Sequence, residues 1–117
     1  MNKPKIVTAI PQRRYKLGNF LITVLGEIES ADGNDYRYIA AVASEGDPNP
    51  GLYITAERAL SDNQGKSDLV MRIVMHDGAQ VLGSSDRWNR LDPFVTDMLE
   101  IVARVLDLQD EEPYPLS

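Results

Sequence analysis

Residues 69–108 read LVMRIVMHDGAQVLGSSDRWNRLDPFVTDMLEIVARVLDL, and two periodicities meet within them. From Leu69 to Gly83 the stretch reads as a hairpin about Asp77-Gly78. That dipeptide suits a two-residue type I′ turn, whose central residues both need positive φ. The turn predicts His76 opposite Ala79, Met75 opposite Gln80 and Ile73 opposite Leu82. From Pro93 to Leu108 the period becomes helical. Phe94, Met98, Ile101, Val102, Val105 and Leu108 cover one side, widened by Val95, Leu99 and Leu106. Asp92 is the predicted N-cap and Pro93 the first helical residue. Asp97, Glu100, Arg104 and Asp107 form the polar arc, with Glu100 and Arg104 a favourable i,i+4 pair. The apolar arc spans roughly half the helix, more than the ~100° stripe a surface helix needs. Such a helix sits in a curved sheet or meets a second apolar surface.

Upstream of this block the pattern is that of strands. FLITVLGEIE (20–29) is apolar on both faces near its middle, as a central strand is. YRYIAAVAS (36–44) reads as the next strand, and its alanines allow another element to approach. LYITAERA (52–59) alternates, with a short helix from Thr55 to about residue 62 as the rival reading. KPKIVTAI (3–10) reads as a short first strand that Pro11 ends or places at a sheet edge. The polar runs SADGND, EGDPNPG and SDNQGKSD separate these elements. Strands followed by one long helix define an α+β fold: an antiparallel sheet of about five strands with the C-terminal helix packed on one face. Residues 1–109 form a single domain. The acidic tail 110–117, DEEPYPLS, is expected to be disordered.

The 117 residues suffice for one core without disulfides, and the 43% hydrophobic and 26% charged content is ordinary for a globular chain. A net charge of −6 opposes general affinity for nucleic acid or an anionic membrane. No segment approaches the ~20 apolar residues of a membrane span. The absence of cysteine removes disulfides, thiolate metal sites and a cysteine nucleophile. MNKPKIVTAIPQRRYK does not read as a signal peptide, so a cytoplasmic protein is expected. Phosphate-binding glycine loops, a nucleophile elbow and calcium-loop spacing are all missing from the sequence, and no cofactor, metal ligand or catalytic residue is assigned.

The corner GSSDRWNRLDPF (83–94) holds the one tryptophan, Trp88, between Arg87 and Arg90. Its structural reading has the indole covering the junction of hairpin and helix, with its N–H bonded to a backbone carbonyl. The functional readings start from charge, because arginines before a helix N-terminus oppose the helix dipole. Ser84, Ser85, Arg87 and Arg90 would suit a phosphate or carboxylate, and Trp88 with its arginines would suit a protein partner. His76, beside Asp77, reads as a turn-flanking polar residue, since adjacent strand residues point to opposite faces. Lys3, Lys5, Arg13, Arg14 and Lys16, with Tyr15 among them, could track single-stranded nucleic acid, but they read better as charges guarding an edge strand.

With GDPNPGLYITAERAL (46–60) and GSSDRWNRLDPFVTDMLEIV (83–102) as the recognisable pieces, the chain resembles small uncharacterised proteins of β-proteobacteria such as Burkholderia. The resemblance covers most of the chain and implies a bacterial origin. It brings no catalytic residue with it.

These readings converge on a small non-enzymatic binding or protein-interaction domain, whose partner is another protein or a second copy. The alternative is a small-anion-binding domain or an enzyme with its site near Arg87, Trp88 and Arg90. The sheet has a second face that nothing obvious in the chain covers. Either a homodimer covers it, or pairs at an edge strand, or a strongly coiled sheet leaves Tyr36, Tyr53 and Thr55 as a tolerable exposed surface.

Overall fold

A computed structural model describes residues 3–58 and 69–116. Six strands follow one another as an antiparallel meander: β1 (Ile6–Leu17), β2 (Phe20–Ser30), β3 (Tyr36–Ser44), β4 (Leu52–Arg58), β5 (Leu69–Met75) and β6 (Gly78–Ser85). A 3₁₀ turn, Asp86–Asn89, leads into the helix α1 (Leu91–Val105). The chain then returns to pair Tyr114–Pro115, as β7, with Tyr15 and Lys16 of β1. The sheet therefore has seven strands in the order β6-β5-β4-β3-β2-β1-β7, where about five were expected. The α+β class, the antiparallel pairing and, among the described residues, the single α-helix agree with the sequence reading. Among the described residues no helix is long and apolar enough to cross a membrane.

Two of the extra features have simple causes. Pro11 does not end the first strand, which runs on to Leu17. Pro11 pairs with Leu25 on one side, while β7 reaches only Tyr15 and Lys16 on the other. A missing N–H is tolerated at such an edge. The tail read as disordered is anchored by this pairing, and Leu116 N–H donates to the Arg14 carbonyl at 2.8 Å. The rival helix near Thr55 is absent from 52–58, which are strand. Residues 59–62 of that reading lie outside the described segments.

The β5–β6 hairpin forms in a different register from the one predicted. Met75 faces Gly78, Val74 faces Ala79 and Ile73 faces Gln80. His76 and Asp77 are the turn residues, and neither takes positive φ, whereas Gly78 does, at 149°. The type I′ turn is thus replaced by one that leaves the unusual backbone to the only residue without a Cβ.

The helix begins earlier and stops sooner than predicted. Arg90 is the N-cap, without a side-chain cap bond, so Asp92 lies in the first turn, where its charge favours the dipole. At the other end Leu108 N–H donates to the Ala103 carbonyl at 2.7 Å and Asp107 N–H to the Arg104 carbonyl at 3.2 Å. Asp107 adopts φ 58°, so the pattern is a Schellman cap with an aspartate in the left-handed position. Leu108 turns back onto the core and lies beside Gly18, whose φ of 58° makes the β1–β2 turn. A Cβ at Gly18 would come within 3.2 Å of Leu108.

The core lies between α1 and one face of the sheet. Ile22, Val24, Ala40, Ile54, Met71 and Leu69 meet Phe94, Val95, Met98 and Val102. Phe94 stacks on Tyr38 with ring centroids 5.3 Å apart. Burying each large apolar side chain stabilises the fold by roughly 1.5–3 kcal/mol. Val105, expected in the buried arc, is 43% exposed because the helix ends there.

Candidate functional site

The corner singled out in the sequence is held by its own contacts. Ser85 Oγ accepts from the Arg87 N–H at 3.2 Å and caps the 3₁₀ turn. Trp88 is buried, and its Nε1 donates to Asp97 Oδ2 at 2.7 Å. Arg87 donates to the same carboxylate through Nε (2.9 Å) and Nη2 (3.2 Å). One helix carboxylate therefore receives the indole and both arms of a guanidinium. The indole partner is this carboxylate and not a backbone carbonyl. Trp88 is the only buried residue of the turn, and a Cβ at Gly83 would touch its Cη2 at 3.7 Å. Ser84 is exposed on β6, opposite Val70. Arg90 lies at the surface in an open depression of about 460 Å³ that it shares with Arg13, Arg87, Asp92 and Thr96. Arg13 is paired with Asp92 there, so Arg90 is the one arginine of this depression without an ion pair among the described residues. Asp97, which the sequence reading left in the polar arc, is what organises the corner.

A second polar cluster lies on the sheet face away from α1. The register aligns Leu25, Ile39, Thr55, Arg72 and Val81 across five strands. Glu57 is diagonal to Arg72 on the same face, two residues along β4 from Thr55. Ile39, Thr55, Val74 and Glu57 are all buried, so the middle of this face is covered, while Val81 at its β6 end is exposed. Three register irregularities in β1 and the positive φ of Glu27 (49°) mark bulges, which bend a strand pair. The segment ahead of β1 lies across the sheet: Pro4 is buried and Lys5 N–H donates to Asp32 Oδ2 at 3.1 Å. A cavity of about 450 Å³ remains, lined by Lys3 and Lys5, by Asp32 and Tyr36 around the β2–β3 connection, and by Glu57 and Arg72.

The polar groups of this cavity are unevenly matched. Tyr36 Oη donates to Asp32 Oδ2 at 2.7 Å, and Asn34 N–H donates to Asp32 Oδ1 at 3.0 Å. Burial pushes the Asp32 carboxyl up, but these bonds and that from Lys5 outweigh it and hold it below the ordinary carboxylate range. Burial, helped by the neighbouring Asp32 charge, pushes the Tyr36 hydroxyl up to about 12. Glu57 accepts from Thr55 Oγ1 at 3.2 Å, and its other oxygen is 3.5 Å from Arg72 Nη2. That separation is long for a charge-assisted hydrogen bond. Arg72 Nε is buried with no hydrogen-bond partner.

The sequence reading missed this cluster; its alternative to a homodimer left Tyr36, Tyr53 and Thr55 as exposed surface, whereas Tyr36 and Thr55 are 7% and 1% exposed. The signal was present: LVMRIVM carries a single arginine inside an apolar strand, and LYITAER alternates Thr55 and Glu57 with Ile54 and Ala56. His76 is exposed in its turn, and no group of three or more histidine and acidic residues fit to hold a metal ion occurs among the described residues. Comparison of the chain with protein-family models, with curated proteins and with solved structures found no match to any of them.

Proposed function

We propose that this domain is a non-enzymatic interaction module whose partner is a second copy of the chain, paired edge to edge along β6. The observation that carries the reading is the contrast between the two sheet edges. At one edge β1 has Pro11, register irregularities, Arg13 and Arg14, and is closed at its far end by β7. These are the devices that keep an edge strand from pairing. The other edge, GAQVLGSS of β6, has no proline, no arginine or lysine and, among the described residues, no strand closing its end. Its register with β5 shifts once, at Leu82, against three shifts in β1. It carries no charge, and Val81 and Leu82 are 56% and 39% exposed on it.

A neutral strand allows two chains of net charge −6 to approach without like charges at the contact. Antiparallel pairing about a twofold axis would use the same eight residues of each copy. It would form roughly eight backbone hydrogen bonds at ~0.5–1.5 kcal/mol each. Against this stands an association cost of at least ~4 kcal/mol, so the dimer is weak to moderate. Light scattering over a hundredfold dilution tests it. The expected result is a mass that rises from 13.1 kDa toward twice that value with concentration. Val81→Lys, at an exposed position, should remain folded and stay monomeric. A parent chain that keeps the monomer mass up to millimolar protein, or a Val81→Lys variant that associates as the parent does, overturns the proposal.

A further inference from the structure

We propose that the cavity on the helix-free face is a binding site for a small monocarboxylate, with Arg72, Lys3 and Lys5 as the recognising cations. The inference stands independently of β6 pairing.

Three observations carry it. The first is position. Arg72 and Glu57 lie on strands inside the sheet, on a face where Ile39 and Val74 are buried and apolar packing would have been the stabilising choice. Glu57 is itself only 7% exposed. The second is the charge count around the cavity. Lys3, Lys5 and Arg72 face Asp32 and Glu57, three cations against two acids, within a chain whose overall charge has the opposite sign. The acids are already satisfied, Asp32 by three donors and Glu57 by Thr55 and Arg72. Lys3 and Lys5 have no ion pair among the described residues. The excess is one positive charge, which a monoanion neutralises. The third is the state of Arg72. One long ion pair restrains its guanidinium, and its Nε–H has no acceptor. An unpaired buried donor is destabilising until an acceptor reaches it. The open part of the Arg72 side chain lines the cavity while Nε itself is enclosed. A carboxylate entering there meets the guanidinium first, and a small turn of the side chain brings Nε–H to it as the second of two parallel donors, the geometry arginine binds best.

The same count argues against other ligands. A divalent cation would meet three positive side chains and two acids already in use. A phosphate dianion would bring a second negative charge beside Asp32 and Glu57 that no cation remains to offset.

The test follows the Arg72 Nε–H signal by nitrogen-15 NMR in the full chain. Sodium propionate is titrated against sodium chloride of equal ionic strength, with inorganic phosphate as a third arm. The expected result is a saturable shift with propionate, with a Kd of roughly a millimolar, and none with chloride. Lys3 and Lys5 are exposed, so the Lys3→Ala/Lys5→Ala variant should melt as the parent does while binding propionate about tenfold more weakly. The proposal is overturned if propionate produces no saturable shift, if chloride produces the same one, if phosphate saturates more tightly, or if the double variant binds unchanged.

Discussion

Replacing Asp97 with alanine separates two interactions that share one carboxylate. Asp97 Oδ2 accepts from the Trp88 indole at 2.7 Å and from Arg87 Nε at 2.9 Å, while Oδ1 takes Arg87 Nη2 at 3.2 Å. Trp88 is 9% exposed, so its N–H loses its acceptor in a place water does not easily reach. That loss costs ~1–3 kcal/mol. The Arg87 pair is half open to solvent and contributes only ~0.2–1 kcal/mol. Asp97→Ala should therefore destabilise the domain by about 2–3 kcal/mol, a fall in Tm on the order of 10 °C for a chain of this length. Trp88→Phe removes the indole donor and keeps most of the ring. In that background Asp97→Ala should cost only about 0.5 kcal/mol, leaving a coupling of ~1.5–2.5 kcal/mol. Urea unfolding followed by far-ultraviolet circular dichroism measures all four chains, at one protein concentration because the proposed self-association would add to apparent stability. Equal losses in the two backgrounds, or an Asp97→Ala loss below about 0.5 kcal/mol, would refute the assignment of Trp88 and Asp97 as one buried unit.

The helix and the β2–β3 connection give two further expectations. Val102 is fully buried and Val105 is 43% exposed, so Val102→Asp should unfold a domain of ~5–15 kcal/mol total stability while Val105→Asp melts close to the parent. Similar melting of the two variants would show the facing of α1 to be wrong. Because the Asp32 carboxyl is held below its unfolded value, its contribution is complete above the ordinary carboxylate range and disappears as pH falls through the folded pKa. Asp32→Asn should thus destabilise at pH 7, by a difference that begins to shrink as pH falls past about 4 and is lost below the folded pKa; a difference that does not shrink with falling pH would contradict the charge-based account.

Much of the fold was legible because it rests on apolar periodicity. FLITVL as an interior strand, YRYIAAVAS and LYITAER as the next two strands and a helix through Met98 and Val102 all follow from which side chains water excludes. The misses occur where a neighbour decides. Pro11 is harmless because it lies on a strand that β7 pairs only at Tyr15 and Lys16, so its missing N–H leaves no ladder bond unmade on that side, and Tyr114–Pro115 become a strand only because β1 offers that edge. The Asp77-Gly78 dipeptide fits the preferred turn, yet the register moved so that Gly78 alone carries positive φ. At the corner, Trp88 and Arg87 were visible as unusual residues, but Asp97 lay nine residues beyond Trp88 in an ordinary polar arc. The cavity was the least legible feature, since it needs the N-terminal segment to cross a face that looked uncovered.

The strict meander also sets an order of events on the ribosome. Each strand from β1 to β6 pairs with the strand just made, so the sheet can grow by contacts local in sequence as the chain emerges. The element that shields its apolar face, α1, is made only after β6 is complete. Until then Ile22, Val24, Ile54 and Met71 face water, beside an uncharged β6 edge. The unfinished chain, more than the finished domain, is the species most exposed to aggregation.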